Sequence, residues 1–195
     1  MKLQRTVAIL IFDDVEVLDF CGPFEVFSVT GRERQESPFQ VYVCAEKSPI
    51  VARNQFSINP RYLLGEEPPP DILLVPGGWG TRQQMNNPKV LDWIRTRSLG
   101  AELVLSVCTG ALLLAKAGLL DGLEATTHYA ALDLLRAVAP RTVVHANRRV
   151  VDNGRVMLSA GVAAGLDLSL SVVARLLGRP VAEETARYLE YAWRA

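Results

Sequence analysis

The sequence predicts an α/β sandwich on a mostly parallel sheet, with an antiparallel piece added. Three observations predict it. Short, unbroken aliphatic runs alternate with longer amphipathic stretches along the chain, the pattern of strands joined by crossover helices. Runs such as Val7–Phe12 lack the apolar–polar alternation of a sheet with one wet face, so they suit strands covered on both sides. Late in the chain, Asn153-Gly154 sits between two branched runs and marks a hairpin. At 195 residues, 49% of them hydrophobic, the chain has the length of one domain and can bury a core without disulfide or metal staples. Residues 1–195 are therefore read as a single domain.

Taken in order, the first strand is Val7–Phe12, bounded by Asp13-Asp14. Pro23 can open the first helix, because a first-turn proline loses no hydrogen bond; Phe24, Val26 and Phe27 then supply apolar positions. Gln40–Ala45 reads as a strand by its branched content. Gly65-Glu66-Glu67-Pro68-Pro69-Pro70 is a stiff surface loop rather than a domain boundary, since apolar segments resume at once. Ile72–Val75 is a buried strand running into Pro76-Gly77-Gly78. Pro88–Ser98 is helical, with Val90, Leu91 and Ile94 on one face and Gly100 as the stop. The strand Glu102–Val107 leads almost directly into a helix at Thr109–Lys116, ended by Gly118. Ala130–Val138 is the next helix, followed by strands at Val143–His145, Val150–Val151 and Val156–Leu158. Helices at Ala163–Leu177 and Val181–Trp193 close the chain, divided by Gly178-Arg179-Pro180.

Charge and cysteine content narrow the function classes. Twenty-one basic residues balance 21 acidic ones, with a pI near 6.7, so the footprint expected of a nucleic-acid binder is missing. Arg148-Arg149 is too small to be a patch and reads as a solvated strand end. The longest apolar run near the start is too short for a membrane span and carries no signal-peptide cleavage site. Cys21, Cys44 and Cys108 are odd in number and lack CxxC spacing, which argues against a disulfide framework or a zinc site. The acidic run Asp13, Asp14, Glu16 and Asp19 has neither calcium-loop spacing nor histidine partners, so no metal is expected. A cytoplasmic protein that binds neither nucleic acid nor membrane is the expectation.

The stretch most suggestive of chemistry is Ser106-Val107-Cys108-Thr109-Gly110, between a strand and a helix. This is the setting of a nucleophile elbow, where a sharp turn projects one side chain above the sheet and small neighbours let the backbones approach. A helix starting just after Cys108 would stabilise its thiolate through the dipole and unpaired N–H groups. The alternative is a buried structural thiol; the strand–Cys–Thr–Gly–helix context favours a reactive cysteine exposed at a site edge. Free amides at Gly78 and Thr109 could bind an oxyanion, since both segments end at the carboxyl edge where ligands bind in parallel sheets. Spacing leaves Asp19 open between a helix cap and an acid or base facing that edge. His128 and His145 are the only histidines, and His145 reads as a surface or core residue. Neither begins a His-x-Glu, so a glutamine amidotransferase triad is ruled out.

Four ordered motifs span the chain: Leu18-Asp19-x-x-Gly22-Pro23-x-Glu25-Val26-Phe27, Pro76-Gly77-Gly78, Val107-Cys108-Thr109-Gly110 and Ala125-Thr126-Thr127-His128. With Ser159–Asp167, they resemble the ThiJ/PfpI family of the class I glutamine amidotransferase-like superfamily, and within it the isonitrile hydratase-like branch. The Leu-Asp-x-x-Gly-Pro motif separates this branch from proteolytic members that use a first-helix glutamate. The resemblance implies a three-layer α/β/α sandwich with a flavodoxin-like sheet and a nucleophile elbow. It also implies a cofactor-free lyase that hydrates a small-molecule isonitrile to an N-substituted formamide. Cys108 would be the nucleophile, Asp19 the carboxylate beside it, Thr109 a helper, and Gly78 and Thr109 the oxyanion hole. Gly77, Trp79, His128 and Cys21 would line the site. Because Asp19 must gain and lose a proton, a raised carboxyl pKa is expected. The alternatives are a binding module like the sensor domain of AraC-type regulators, or a redox or reactive-carbonyl stress protein. With the sequence reaching Ala195, the regulators' helix-turn-helix is not expected. A homodimer is expected through the first helix, where Phe24, Val26 and Phe27 offer more apolar surface than one packed face needs.

Overall fold

In the computed structural model, which describes residues 4–193, the central sheet has the order β10-β11-β7-β6-β1-β2-β5. Its strands are β1 (Arg5–Leu10), β2 (Phe39–Ala45), β5 (Tyr62–Leu63), β6 (Ile72–Val75), β7 (Leu103–Val107), β10 (Val150–Asp152) and β11 (Val156–Ser159). Every pairing is parallel except β10 with β11, the hairpin that Asn153-Gly154 predicts. The ends of the predicted single domain, residues 1–3 and 194–195, lie outside the described residues. Helices α1 (Val17–Val29), α6 (Ala164–Leu177) and α7 (Arg179–Tyr188) pack together on one face. On the other lie α2 (Thr81–Gln84), α3 (Pro88–Gly100), α4 (Gly110–Lys116) and α5 (Leu132–Val138). The three-layer α/β/α architecture is the one expected. Ile9, Leu74 and Leu105, on three adjacent strands, are fully buried. Burying each such side chain contributes about 1.5–3 kcal/mol.

Several elements differ from the sequence reading. α1 begins at Val17 and carries Pro23 inside it, so Asp19 lies in the first turn rather than ahead of the helix. The lost backbone donor at Pro23 is offset by packing: a Cβ on Gly22 would come within 3.2 Å of Leu166, so α1 and α6 meet closely there. Val26 and Phe27 are 0% and 1% exposed within their own subunit, and Phe27 meets Phe39 edge to face. The surplus apolar surface expected on this helix therefore shrinks to the half-buried Phe24. α7 stops at Tyr188, where the chain turns and Tyr191 donates a hydrogen bond to buried Asp167 at 3.1 Å.

Some strands too short for periodicity to show were missed: the hairpin of β3 (Ile50–Val51) with β4 (Ser57–Ile58), and β8 (Glu124–Ala125), which pairs with β9 (Val143–Val144), the strand expected at Val143–His145, outside the main sheet. The loop with three prolines is no plain surface loop either. Glu67 is buried within it and accepts bonds from Trp93 Nε1 at 2.8 Å and Arg97 Nε at 2.5 Å. No helix among the described residues is long and apolar enough to cross a membrane.

Candidate active site

β6 and β7 run parallel with Val75 opposite Ser106, so Pro76-Gly77-Gly78 and Cys108 emerge together at the carboxyl edge. Cys108 has φ 55, the left-handed region. For a side chain with a Cβ this costs about 1–2 kcal/mol, and such strain persists where the surroundings over-determine it. Here they do. The Cys108 N–H donates to Ala160 O at 3.1 Å, and the Thr127 hydroxyl donates to the Cys108 carbonyl at 2.8 Å. A Cβ on Gly110 would sit 2.0 Å from Val75 O, so the elbow closes only with glycine there.

The first turn of α1 carries Asp19 to this elbow. Asp19 is wholly buried; its Oδ2 accepts the Gly77 N–H at 2.9 Å, while Oδ1 has no hydrogen-bond partner. Burial pushes the carboxyl up to about 7, against the Gly77 N–H and the Cys108 thiol, which favour its charge; Glu16 adds to the rise. This is the raised carboxyl the sequence reading expects. Cys108 is only 5% exposed. Burial first, then the Asp19 charge, push its thiol up to about 12, despite amide bonds from Val162 and Thr109. The expectation of an exposed, helix-stabilised thiolate is thus corrected. Water is largely excluded, and a carboxylate beside the sulfur outweighs the seven-residue helix behind it. At rest the pair holds a thiol next to a carboxyl that titrates near neutrality.

The amide of Gly78 is not free for an oxyanion, contrary to expectation. It donates to Thr109 Oγ1 at 2.9 Å, which also lies 3.1 Å from Gly78 O. Thr109 thus fastens the Pro76-Gly77-Gly78 turn to the elbow. Gly78 itself (φ 128) bridges to Val15, where a Cβ would meet Asp14 O at 2.4 Å. The amides of Thr109 and Val162 face the sulfur and oppose the rise of its thiol. Val162, a β-branched residue at φ 43, is a backbone outlier.

A cavity of about 200 Å³ opens over Cys108 and Thr109. Trp79 and His128, two of the residues expected to line the site, line it, and so do Gly78, Glu16, Arg53, Arg82, Ala130 and Val162. Trp79 is 65% exposed and stands at the mouth. His128 accepts the Ala130 N–H at 3.3 Å through Nδ1, and its ring fits because residue 161 is glycine. Gly77 lies beneath, bonded to Asp19, and Cys21 is half-buried on α1; neither lines the cavity. The Cys21 thiol is pushed up by burial and by Glu25. His145 is elsewhere, paired with Glu124 at 2.9 Å. The acidic run disperses: Asp13 pairs with Lys47 and Asp14 with Arg53. No local signal marks Glu16, Arg53 or Val162: Glu16 reaches the cavity as the N-cap of α1, Arg53 through the β3–β4 hairpin and Val162 through a strained turn before α6.

Comparison with known proteins places the chain and its fold. The DJ-1/PfpI family model matches residues 5–175. Isonitrile hydratase of Pseudomonas putida is 34% identical over 193 residues, covering 98% of this chain and 80% of that enzyme. The HTH-type transcriptional regulator CdhR of Pseudomonas aeruginosa is 28% identical over 91% of this chain, which spans only 52% of the regulator. The crystal structure of a ThiJ/PfpI family protein from Pseudomonas syringae superposes with a TM-score of 0.87 at 30% identity, covering 98% of this chain and 77% of that one. Drosophila melanogaster DJ-1beta shares the fold, with a TM-score of 0.83 at 20% identity over 97% of this chain and all of that one. This chain belongs to the DJ-1/PfpI family.

Proposed function

We propose that this protein hydrates a small isonitrile to an N-substituted formamide, using the Asp19–Cys108 pair and no cofactor. The observation that carries this reading is a thiol beside a buried carboxyl with a pKa near 7, under a cavity sized for a small molecule. The 34% identity to isonitrile hydratase over nearly the whole chain supports it. With Asp19 ionised, its carboxylate takes the thiol proton as sulfur attacks the terminal isonitrile carbon. It then returns that proton to the same carbon, leaving a thioformimidate on Cys108. The N–H groups of Thr109 and Val162 stabilise the sulfur while it carries charge. Water adds to the carbon; Asp19 takes a proton from it and hands it to nitrogen. The C–S bond breaks as the carbonyl forms, and Asp19 carries the hydroxyl proton back to sulfur. One difficult addition becomes two easier ones, and a carboxyl titrating near 7 suits both directions of transfer. His128 lines the cavity without a role in these transfers.

A second reading is a sensor that binds a small molecule without turnover, favoured by the match to CdhR over half of that regulator. Incubation with cyclohexyl isocyanide separates the two: the hydratase releases N-cyclohexylformamide, and the sensor binds and releases nothing new. The redox reading is disfavoured, because a thiol kept protonated by burial and by Asp19 is a poor target for peroxide. We further propose a cytoplasmic homodimer. A groove of about 420 Å³ lined by Phe24, Val41, Val43 and Tyr62, where α1 meets the sheet edge, supports pairing of two copies there.

A further inference from the structure

The wall of the cavity over Cys108 carries more positive charge than an apolar isonitrile needs. Arg82, from α2, and Arg53, from the turn after β3, both line it, against one carboxylate, Glu16. Arg82 has no carboxylate partner among the described residues. Its guanidinium lies 4.6 Å over the Trp79 ring, and Nη1 reaches Gly78 O at 3.3 Å and Thr81 Oγ1 at 3.4 Å. These long contacts orient the head without neutralising it, leaving most of its five donors unused. Arg53 is fixed at its backbone, where its N–H donates to Val15 O at 3.0 Å; its side chain has only a loose 3.5 Å pairing with exposed Asp14. Two guanidiniums from separate elements line one partly enclosed space, and such groups suit a planar anion.

We propose that the substrate carries a carboxylate, held by Arg82 and Arg53, while its reactive carbon meets Cys108. The isocyanide half of this assignment rests on the hydratase reading; the anion subsite does not. The cavity of about 200 Å³ is smaller than the roughly 300–1,000 Å³ of sites for drug-sized ligands, so the carboxylate sits on a short arm. Isocyanoacetate is the simplest such molecule. Glu16, whose charge adds to the rise of the Asp19 carboxyl, is the one acidic residue on the cavity wall, against two arginines.

Two measurements test the subsite. The first is calorimetric binding of N-formylglycine, the product from isocyanoacetate, and of neutral N-cyclohexylformamide; it needs no turnover. The second is the ratio of kcat/KM for isocyanoacetate to that for cyclohexyl isocyanide, in the native protein, Arg82→Gln and Arg53→Gln. N-formylglycine should bind more tightly than the neutral amide. Either substitution should lower both its affinity and the kcat/KM ratio by roughly ten- to a hundredfold, the worth of one charged hydrogen-bonded contact. The two variants lie on different elements, so failure of one to fold leaves the other to be read. Equal binding of the two formamides, or unchanged N-formylglycine affinity in both variants, overturns the proposal. Arginine-dependent binding of N-formylglycine without hydration of either isocyanide upholds the anion subsite and overturns the hydratase reading instead.

Discussion

Replacing Asp19 with asparagine should make the protein more stable and nearly inactive at once. The Asp19 carboxyl is wholly buried, and its pKa rises from 3.8 to about 7. A group raised on folding adds stability that is complete below its unfolded pKa and is lost as pH climbs through its folded one. The displacement is worth about 4 kcal/mol at about 1.4 kcal/mol per tenfold. Asparagine is never charged, and its carbonyl can still accept the Gly77 N–H. Urea unfolding should therefore show Asp19→Asn more stable than the native protein by about 2–4 kcal/mol at pH 8. The gap should shrink to about 1 kcal/mol at pH 4.5. Without a group to cycle the proton, hydration should fall by about 10²–10⁴-fold. Equal stability at both pH values would refute the reasoning, since the carboxyl would then have no elevated pKa. A loss of activity below about threefold would reduce Asp19 to a helix-start residue.

Three further outcomes follow from the same structure. The active form pairs ionised Asp19 with protonated Cys108, so kcat/KM for an isonitrile should rise about tenfold per pH unit below pH 7 and level off above it. A profile flat from pH 5 to pH 8 contradicts that assignment. Cys108→Ala and Cys108→Gly should both be inactive, but the glycine variant should be the more stable by about 1 kcal/mol, because φ 55 strains every residue with a Cβ; chemical denaturation reads the difference. Glu67→Ala should cost about 3–5 kcal/mol, since it leaves Arg97 and Trp93 Nε1 without their buried acceptor. A thermal midpoint unchanged from the native protein speaks against the role given to that loop.

How much of this was legible in the sequence depended on whether local chemistry fixed the answer. Ile72–Val75 and Leu103–Val107 were readable as strands because a strand buried on both faces is an unbroken aliphatic run. The elbow was readable because Cys108 stands between that strand and a glycine whose Cβ would clash with Val75 O. The start of α1 was misread because Pro23 reads locally as a helix opener, while packing against α6 carries the helix through it from Val17. The protonation of Cys108 was misread because local sequence shows the helix behind a thiol, not the burial and the carboxylate in front of it. Arg53 and Val162 had no signal: a short hairpin and a strained turn bring them to the cavity.

The most direct test of the account is to mix the protein with cyclohexyl isocyanide and follow N-cyclohexylformamide together with the mass of the Cys108 peptide after an acid quench. The account predicts steady formamide release by the native protein, a thioformimidate adduct on Cys108 during turnover, and neither in Cys108→Ala. Formamide release by Cys108→Ala at the native rate, or none by the native protein, would contradict it.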